Sequence, residues 1–257
     1  METSLLGLAR SGLIAQQTRL DMVSHNIANL QTPGFRAFRA ELVDLPPDQS
    51  VFGLPSPPRL TSAEDPTRGV AVVRTSQPDV PGSIVATNAP LDLALPDGVY
   101  LAVRLPNGQT GYTRDGHVDV GAKGAFQINA YPLVSNVTML PGDSSPSIDE
   151  AGNVVVVGSN GPRTIGKVPL VQFARPENLE PLGNGVLQPS ATSGQPMPFT
   201  PTGLDRLATG ALEASNVRLD QEFSHLIRAQ RAYQLNAQFV RTWDELAGDT
   251  VQDLGRS

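Results

Sequence analysis

Apolar residues recur along this chain with two different periods, and the period changes where the prolines begin. Near the N-terminus Leu6, Leu13, Leu20 and Ile27 stand seven residues apart, and Ala9, Gln16, Val23 and Leu30 follow each of them by three. This a/d heptad with one polar d position predicts a helix over residues 4–30 carrying a left-handed seam along one face. Thr3 or Ser4 can cap its start. Gly7 and Gly12 each weaken it by about 1 kcal/mol relative to alanine. Thr32-Pro33-Gly34 ends it, because a residue before proline is pushed out of the α region. The C-terminus repeats the pattern over a longer span. Leu212, Leu219, Leu226, Tyr233, Val240, Ala247 and Leu254 are seven apart, with Phe223, Ala237 and Val251 four residues after members of that series. Asn216 as N-cap and Gly248 as stop predict a helix over about 217–247.

Between these ends the period falls to two. Tyr100–Leu105, Pro106-Asn107-Gly108 and Gln109–Arg114 read as a hairpin with an Asn-Gly turn. Short β runs follow at His117–Val120, Ala125–Ile128, Ile148, Val154–Val157, Arg163–Ile165 and Val168–Phe173, divided by Asp-Gly, Gly-Asn and Asn-Gly turn signals. The expected fold class is therefore mixed α+β. Its parts are an N-terminal helix and turn (1–35), an extended connector (36–60), a central all-β domain of short antiparallel strands (61–173), a Pro/Gly-rich connector (174–209) and a C-terminal helix (210–257). The two terminal helices are expected to pair as a coiled-coil-like domain. Its seam, Leu6, Leu13, Leu20, Ile27, Leu219, Leu226, Tyr233 and Val240, is the expected assembly interface. The competing reading of the same stripes is that both helices pack onto the central domain.

Composition sharpens this partition. Of 257 residues, 24 are Gly and 23 are Pro, and every proline falls between Pro33 and Pro201, so only the two ends are free to form long helices. With 39% hydrophobic and 17% charged residues, disorder along the whole length is not expected. The absence of cysteine removes disulfides, thiolate metal sites and a cysteine nucleophile. A net charge of −6, with only two lysines, leaves no basic patch of the kind that binds nucleic acid. No run of 18 apolar residues predicts a membrane-spanning helix, and Met1-Glu2-Thr3-Ser4 does not open a cleavable secretory signal.

Candidate chemistry is sparse. His25 and His225 lie off the apolar stripes of the predicted helices and read as solvated. His117 stands near Asp115 and Asp119, where the plainest reading is a hairpin turn and the sharper one an acid–base pair. Asp143, Asp149 and Glu150 sit in turn regions. No HExxH, EF-hand, GxSxG or Walker A spacing is present, so neither an enzyme nor a cofactor nor a small-molecule substrate is expected.

Three ordered motifs carry a family likeness. Asn26-Ile-Ala-Asn29-Leu-Gln-Thr32-Pro33-Gly34-Phe35-Arg36 resembles the N-terminal signature of the flagellar basal-body rod and hook proteins. Leu212-Glu213-Ala-Ser215-Asn216-Val217, with Glu222-Phe223, Leu226-Ile227, Gln230-Arg231-Ala232-Tyr233, Asn236 and Asp244-Glu245-Leu246, resembles their C-terminal signature. Pro90–Leu95, Asp97-Gly98 and Gly111–Gly116 look like the central region of the longer rod members. Within the family the chain is similar to the FlgF/FlgG-like members, the proximal and distal rod proteins. Pro96-Asp97-Gly98-Val99-Tyr100-Leu101-Ala102-Val103 replaces the Gly-x-Gly-Phe-Phe run of many members and looks closer to the proximal type.

The resemblance implies a non-enzymatic subunit of a tubular rod crossing the periplasm. Its terminal helices would form an inner layer around an export channel, with the β domain outside. Its partners would be copies of itself, other rod subunits and the flagellar export apparatus, through which it would pass unfolded and without a cleaved signal. Thr32 and Gly34 would shape the turn leaving the inner helix. Phe35 would pack on a neighbouring helix or staple its own subunit. The alternative is a secreted, adhesin-like β-domain binding module on a helical stalk.

Overall fold

The structure, a computed structural model, describes residues 2–44, 70–78, 80–135, 137–203 and 205–254. The fold is mixed α+β and divides into two compact units.

The first unit comprises residues 1–28, 38–76 and 218–257. It holds helix α1 (Glu2–Ala28), strands β1 (Arg39–Asp44) and β2 (Val70–Ser76), and helix α2 (Leu219–Leu254). The helices pack on each other. A Cβ on Gly12 would come within 2.9 Å of the Asn236 amide nitrogen, so the backbone of α1 runs close to that side chain. Asn26, 2% exposed, fastens the chain that follows α1. Its Nδ2 donates to the Phe38 carbonyl (3.0 Å) and its Oδ1 accepts from the Phe38 N–H (2.9 Å), while the His25 ring meets the Phe38 ring edge-on at 5.3 Å. β1 and β2 pair antiparallel with a bulge between Glu41 and Leu42.

The second unit comprises residues 29–37 and 77–217. Its first strands are β3 (Ile84–Ala86), β4 (Leu93–Ala94), β5 (Val99–Arg104), β6 (Thr110–Thr113), β7 (Asp119–Val120), β8 (Phe126–Ile128) and β9 (Tyr131–Pro132). Then come β10 (Ser144–Ile148), β11 (Asn153–Gly158), β12 (Gly161–Lys167), β13 (Leu170–Gln172), β14 (Glu180–Gly183), β15 (Val186–Gln188), β16 (Met197–Pro198), β17 (Ala208–Thr209) and β18 (Ala211–Glu213). A six-stranded sheet, ordered β14-β15-β6-β5-β13-β16, stands with two three-stranded sheets, β10-β11-β12 and β7-β8-β9, and two ribbons, β17-β4 and β18-β3. β5 is central and is covered on both faces. Val99, Leu101 and Val103 enter the main core with Leu93, Phe126, Ile128 and Val154, while Tyr100 and Ala102 enter a second cluster with Tyr112, Phe173 and Leu179. Burial on two faces explains why this strand reads as an unbroken apolar run.

The expected hairpin forms in register, Ala102 opposite Tyr112. Other boundaries differ. α1 ends at Ala28, two residues before the expected stop. α2 starts at Leu219 and runs through Gly248 to Leu254, because Asn216 is engaged elsewhere and one glycine inside a long packed helix is tolerated. β1 lies in the stretch read as a connector, most of which (residues 45–60) falls outside the described residues. The stretch 174–209 carries four strands and a one-turn 3-10 helix, Pro176–Asn178. Pro181 lies inside β14 and Pro198 ends β16, the two edge strands of the six-stranded sheet, where proline is tolerated.

Candidate functional site at the chain-end junction

The two stretches that lead out of α1 and into α2 meet within the second unit. After α1 the chain turns at Asn29–Thr32, where the Thr32 N–H donates to the Asn29 carbonyl (3.2 Å) and the Thr32 hydroxyl to Asn29 Oδ1 (3.1 Å). The Phe35 N–H then donates to the Thr32 carbonyl (3.2 Å). Gly34 has φ +66°, and a Cβ there would stand 2.4 Å from the Arg114 carbonyl oxygen, so the position admits only glycine without strain.

Residues 213–216 come alongside. The Gly34 N–H donates to the Glu213 carbonyl (2.7 Å) and the Asn216 N–H to the Phe35 carbonyl (3.3 Å). Asn216 is the hub. Its Oδ1 accepts from the Ala37 N–H (2.7 Å) and its Nδ2 donates to the Val80 carbonyl (2.7 Å), which is why it does not cap α2. Residues 77–83 close the third side. Gln77 donates to the Arg36 carbonyl, and the Ala214 N–H donates to the Ser83 carbonyl (2.8 Å). A Cβ on Gly82 would overlap the Ala214 carbonyl oxygen at 1.8 Å.

Under this backbone lies a buried charge cluster. Arg36, Arg114 and Glu213 are 3–4% exposed. Arg114 directs Nε (3.0 Å) and Nη2 at Glu213 Oε2 and also donates to the carbonyls of Leu95 (3.2 Å), Pro96 (3.1 Å) and Val99 (2.8 Å). The other carboxylate oxygen accepts from the Gly82 N–H (3.0 Å) and faces Arg36 at 3.5 Å, which also reaches Asp97 at 3.5 Å. The Arg114 guanidinium sits 5.6 Å from the Tyr100 ring centroid. Burial first, and the neighbouring Arg114 second, lower the pKa of Arg36. Burial raises that of the Tyr100 hydroxyl. Taking such charges out of water offsets much of their mutual attraction, and removing one partner leaves a costly unpaired charge.

The structure brings together Asn29, Thr32, Pro33, Gly34, Phe35, Ser215 and Asn216 in one segment pair. Phe35 is 7% exposed within its own chain. Ser215 Oγ accepts from the Val217 N–H (3.3 Å). Gln230 and Arg231 belong to the first unit, exposed on α2. Of the expected interface residues, Leu13, Leu20, Ile27, Leu226 and Val240 are half-buried, whereas Leu219 and Tyr233 are exposed. The side chain of Leu6 lies outside the described residues. Sequence reasoning did not single out Arg36, Arg114 or Glu213 as site residues. The available signal was a full charge inside each of the three family-like segments, flanked by residues that are apolar or turn-forming.

The candidate chemistry resolves into structural roles. His117 Nδ1 lies 2.7 Å from the buried Asp92 carboxylate and its Nε2 lies 3.6 Å from Asp119. The hydrogen bond to Asp92 raises the His117 pKa. Asp115 accepts from the His117 N–H (2.9 Å) and from Asn129 (3.0 Å), and burial raises its pKa. Asp143 binds Arg163, Asp149 accepts from the Ala151 and Asn153 N–H groups, and Glu150 pairs with Arg206.

Known proteins match this chain at the same two stretches. The family model described as "Flagella basal body rod protein" matches residues 6–36, and "Flagellar basal body rod FlgEFG protein C-terminal" matches residues 208–253. The first ends and the second begins at the segments the junction joins. Over the whole length, the chain is 31% identical to the flagellar basal-body rod protein FlgG of Buchnera aphidicola subsp. Schizaphis graminum, covering 94% of this chain and 96% of the relative. It is also 31% identical to the protein of the same name from Caulobacter vibrioides (96% and 98% covered). Identity to the flagellar basal-body rod protein FlgF of Escherichia coli K12 is 29% (92% of each).

Proposed function

The chain belongs to the family of flagellar basal-body rod proteins, which are structural and not enzymatic, and from that premise we propose that it polymerises through α1 and α2 into the tubular rod. The observation that carries the proposal is the surface of α2. Leu219, Phe223, Ile227, Tyr233, Leu235 and Phe239 are 38–67% exposed on a helix that also packs on α1. A coiled-coil-like helix pair with so much apolar surface left over gains from neighbouring copies, and one contact repeated along a screw axis builds an open tube. In this reading the rod encloses an export channel, transmits torque and lies in the periplasm. Its subunits interact with copies of themselves and other rod subunits, and pass through the flagellar export apparatus without a cleaved signal. The adhesin-like alternative draws no support from the family assignment.

The Pro96–Val103 segment favours the proximal rod. The FlgG name of the relatives at 31% identity favours the distal rod as a second reading. Electron microscopy of basal bodies from cells lacking this chain decides: a rod that stops at its base supports the proximal reading, a rod that lacks only its outer part the distal one. A variant without residues 218–257 is expected to stay out of the rod while its β unit remains folded by circular dichroism. Incorporation of that variant overturns the proposal.

A further inference from the structure

The junction joins residues that are far apart in the chain: Arg36 and Glu213 are separated by 177 positions and Arg114 and Glu213 by 99. The main-chain hydrogen bonds of Gly34, Phe35 and Ala37 to the rest of the second unit run to residues 213–216, the Arg36 carbonyl accepts from Gln77, and the Arg36 side chain reaches both Glu213 and Asp97. The 80–86 strand is in the same position. Gly82, Val80 and Ser83 bond to Glu213, Asn216 and Ala214, and among the described residues β3 pairs with β18 alone. The fixed post is Arg114, which three carbonyls around the start of β5 hold to the packed core. Neither the N-terminal motif nor β3 therefore has a complete seat until the segment carrying Glu213 and Asn216 arrives. By contrast β5, β6 and β13 pair among themselves and need none of these residues.

We infer that the junction is a completeness latch: residues 29–37, Gln77 with 80–86, and 211–217 close as one cooperative unit on Glu213, separately from the packed sheets. Whichever end of the chain is made available first, its motif waits for the other. Contacts of high sequence separation form late because the chain between them must first be ordered. Units of this kind open below the global unfolding threshold and expose their amides together.

Hydrogen exchange on the full-length chain tests the latch. In the wild type the amides of Gly34, Ala37, Gly82, Ala214 and Asn216 should share one opening constant, larger than that of the β5–β6 amides. Glu213→Gln removes the charge while keeping the shape and should raise exchange in all three segments together by about tenfold or more, their shared opening constant staying larger than that of β5–β6. Asn216→Ala, which disturbs no charge, should reproduce the pattern and serves where Glu213→Gln does not fold. Exchange that rises in 211–217 alone, or wild-type junction amides that open no more readily than those of β5–β6, overturns the inference.

Discussion

Among the described residues, the β unit hides large apolar side chains, whereas the helical unit hides small ones. Phe126, Leu93, Leu101 and Ile128 are at most 1% exposed in the β unit. Among the described residues of the helical unit the buried apolar residues are Ala9, Ala15, Val23 and Ala229, while Phe223, Ile227, Leu235 and Phe239 stand 47–67% exposed. A side chain of Leu or Phe size is worth about 1.5–3 kcal/mol when fully buried. On α2 much of that energy is left uncollected within the chain, although the β unit also leaves Ile84, Val85, Leu140 and Leu182 47–63% exposed. In the proposed rod, neighbouring copies complete the helical unit.

The largest expected effect breaks the β side of this contrast. Phe126→Ala should cost about 3–5 kcal/mol and lower the melting temperature by an amount on the order of 10 °C, read by calorimetry. Gly34→Ala should cost about 1–3 kcal/mol, because its Cβ meets the Arg114 carbonyl in a left-handed conformation. Chemical denaturation measures it, and Gly108→Ala, with nothing within 4 Å of its Cβ, separates the conformational cost from the steric one.

A smaller effect comes with pH. The folded pKa of His117 is raised by Asp92, so the stability it contributes is complete below the ordinary histidine value and is lost as pH rises through the raised one. Its ring is half exposed and solvent screens the pair, so the change is below about 1 kcal/mol. A melting temperature that declines above neutral pH in the wild type and runs flatter in His117→Gln bears this out. Asp115, raised by burial, shifts stability in the same direction but in the acid range.

Both helices were legible in the sequence because each obeys one local period, and the hairpin of β5 and β6 because an Asn-Gly turn divides its two runs. The strands between residues 174 and 209 were not legible. They are two to four residues long, too short for alternation to show, and their pairing with β4, β6 and β13 is set by distant partners. Asn216 shows the same limit at the level of one residue. Its type and place suit an N-cap, but Ala37 and Val80 compete for its side chain and win. The motif residues from Asn29 to Phe35 were recognisable as a turn, yet the residue whose main-chain carbonyl seats Gly34, Glu213, belongs to the other end of the chain. The apolar series at Leu219, Leu226, Tyr233 and Val240 was visible as a stripe, but whether a residue faces its own subunit or is left open depends on how α1 and α2 meet.

The smallest expected effect on stability carries the most weight. Phe223→Ser combined with Ile227→Ser alters two side chains that are about half exposed, so the isolated chain should melt nearly as the wild type does. Basal bodies purified from cells carrying only this variant should lack the subunit and show a truncated rod. A complete rod containing the variant would contradict the claim that the helical unit is finished by its neighbours.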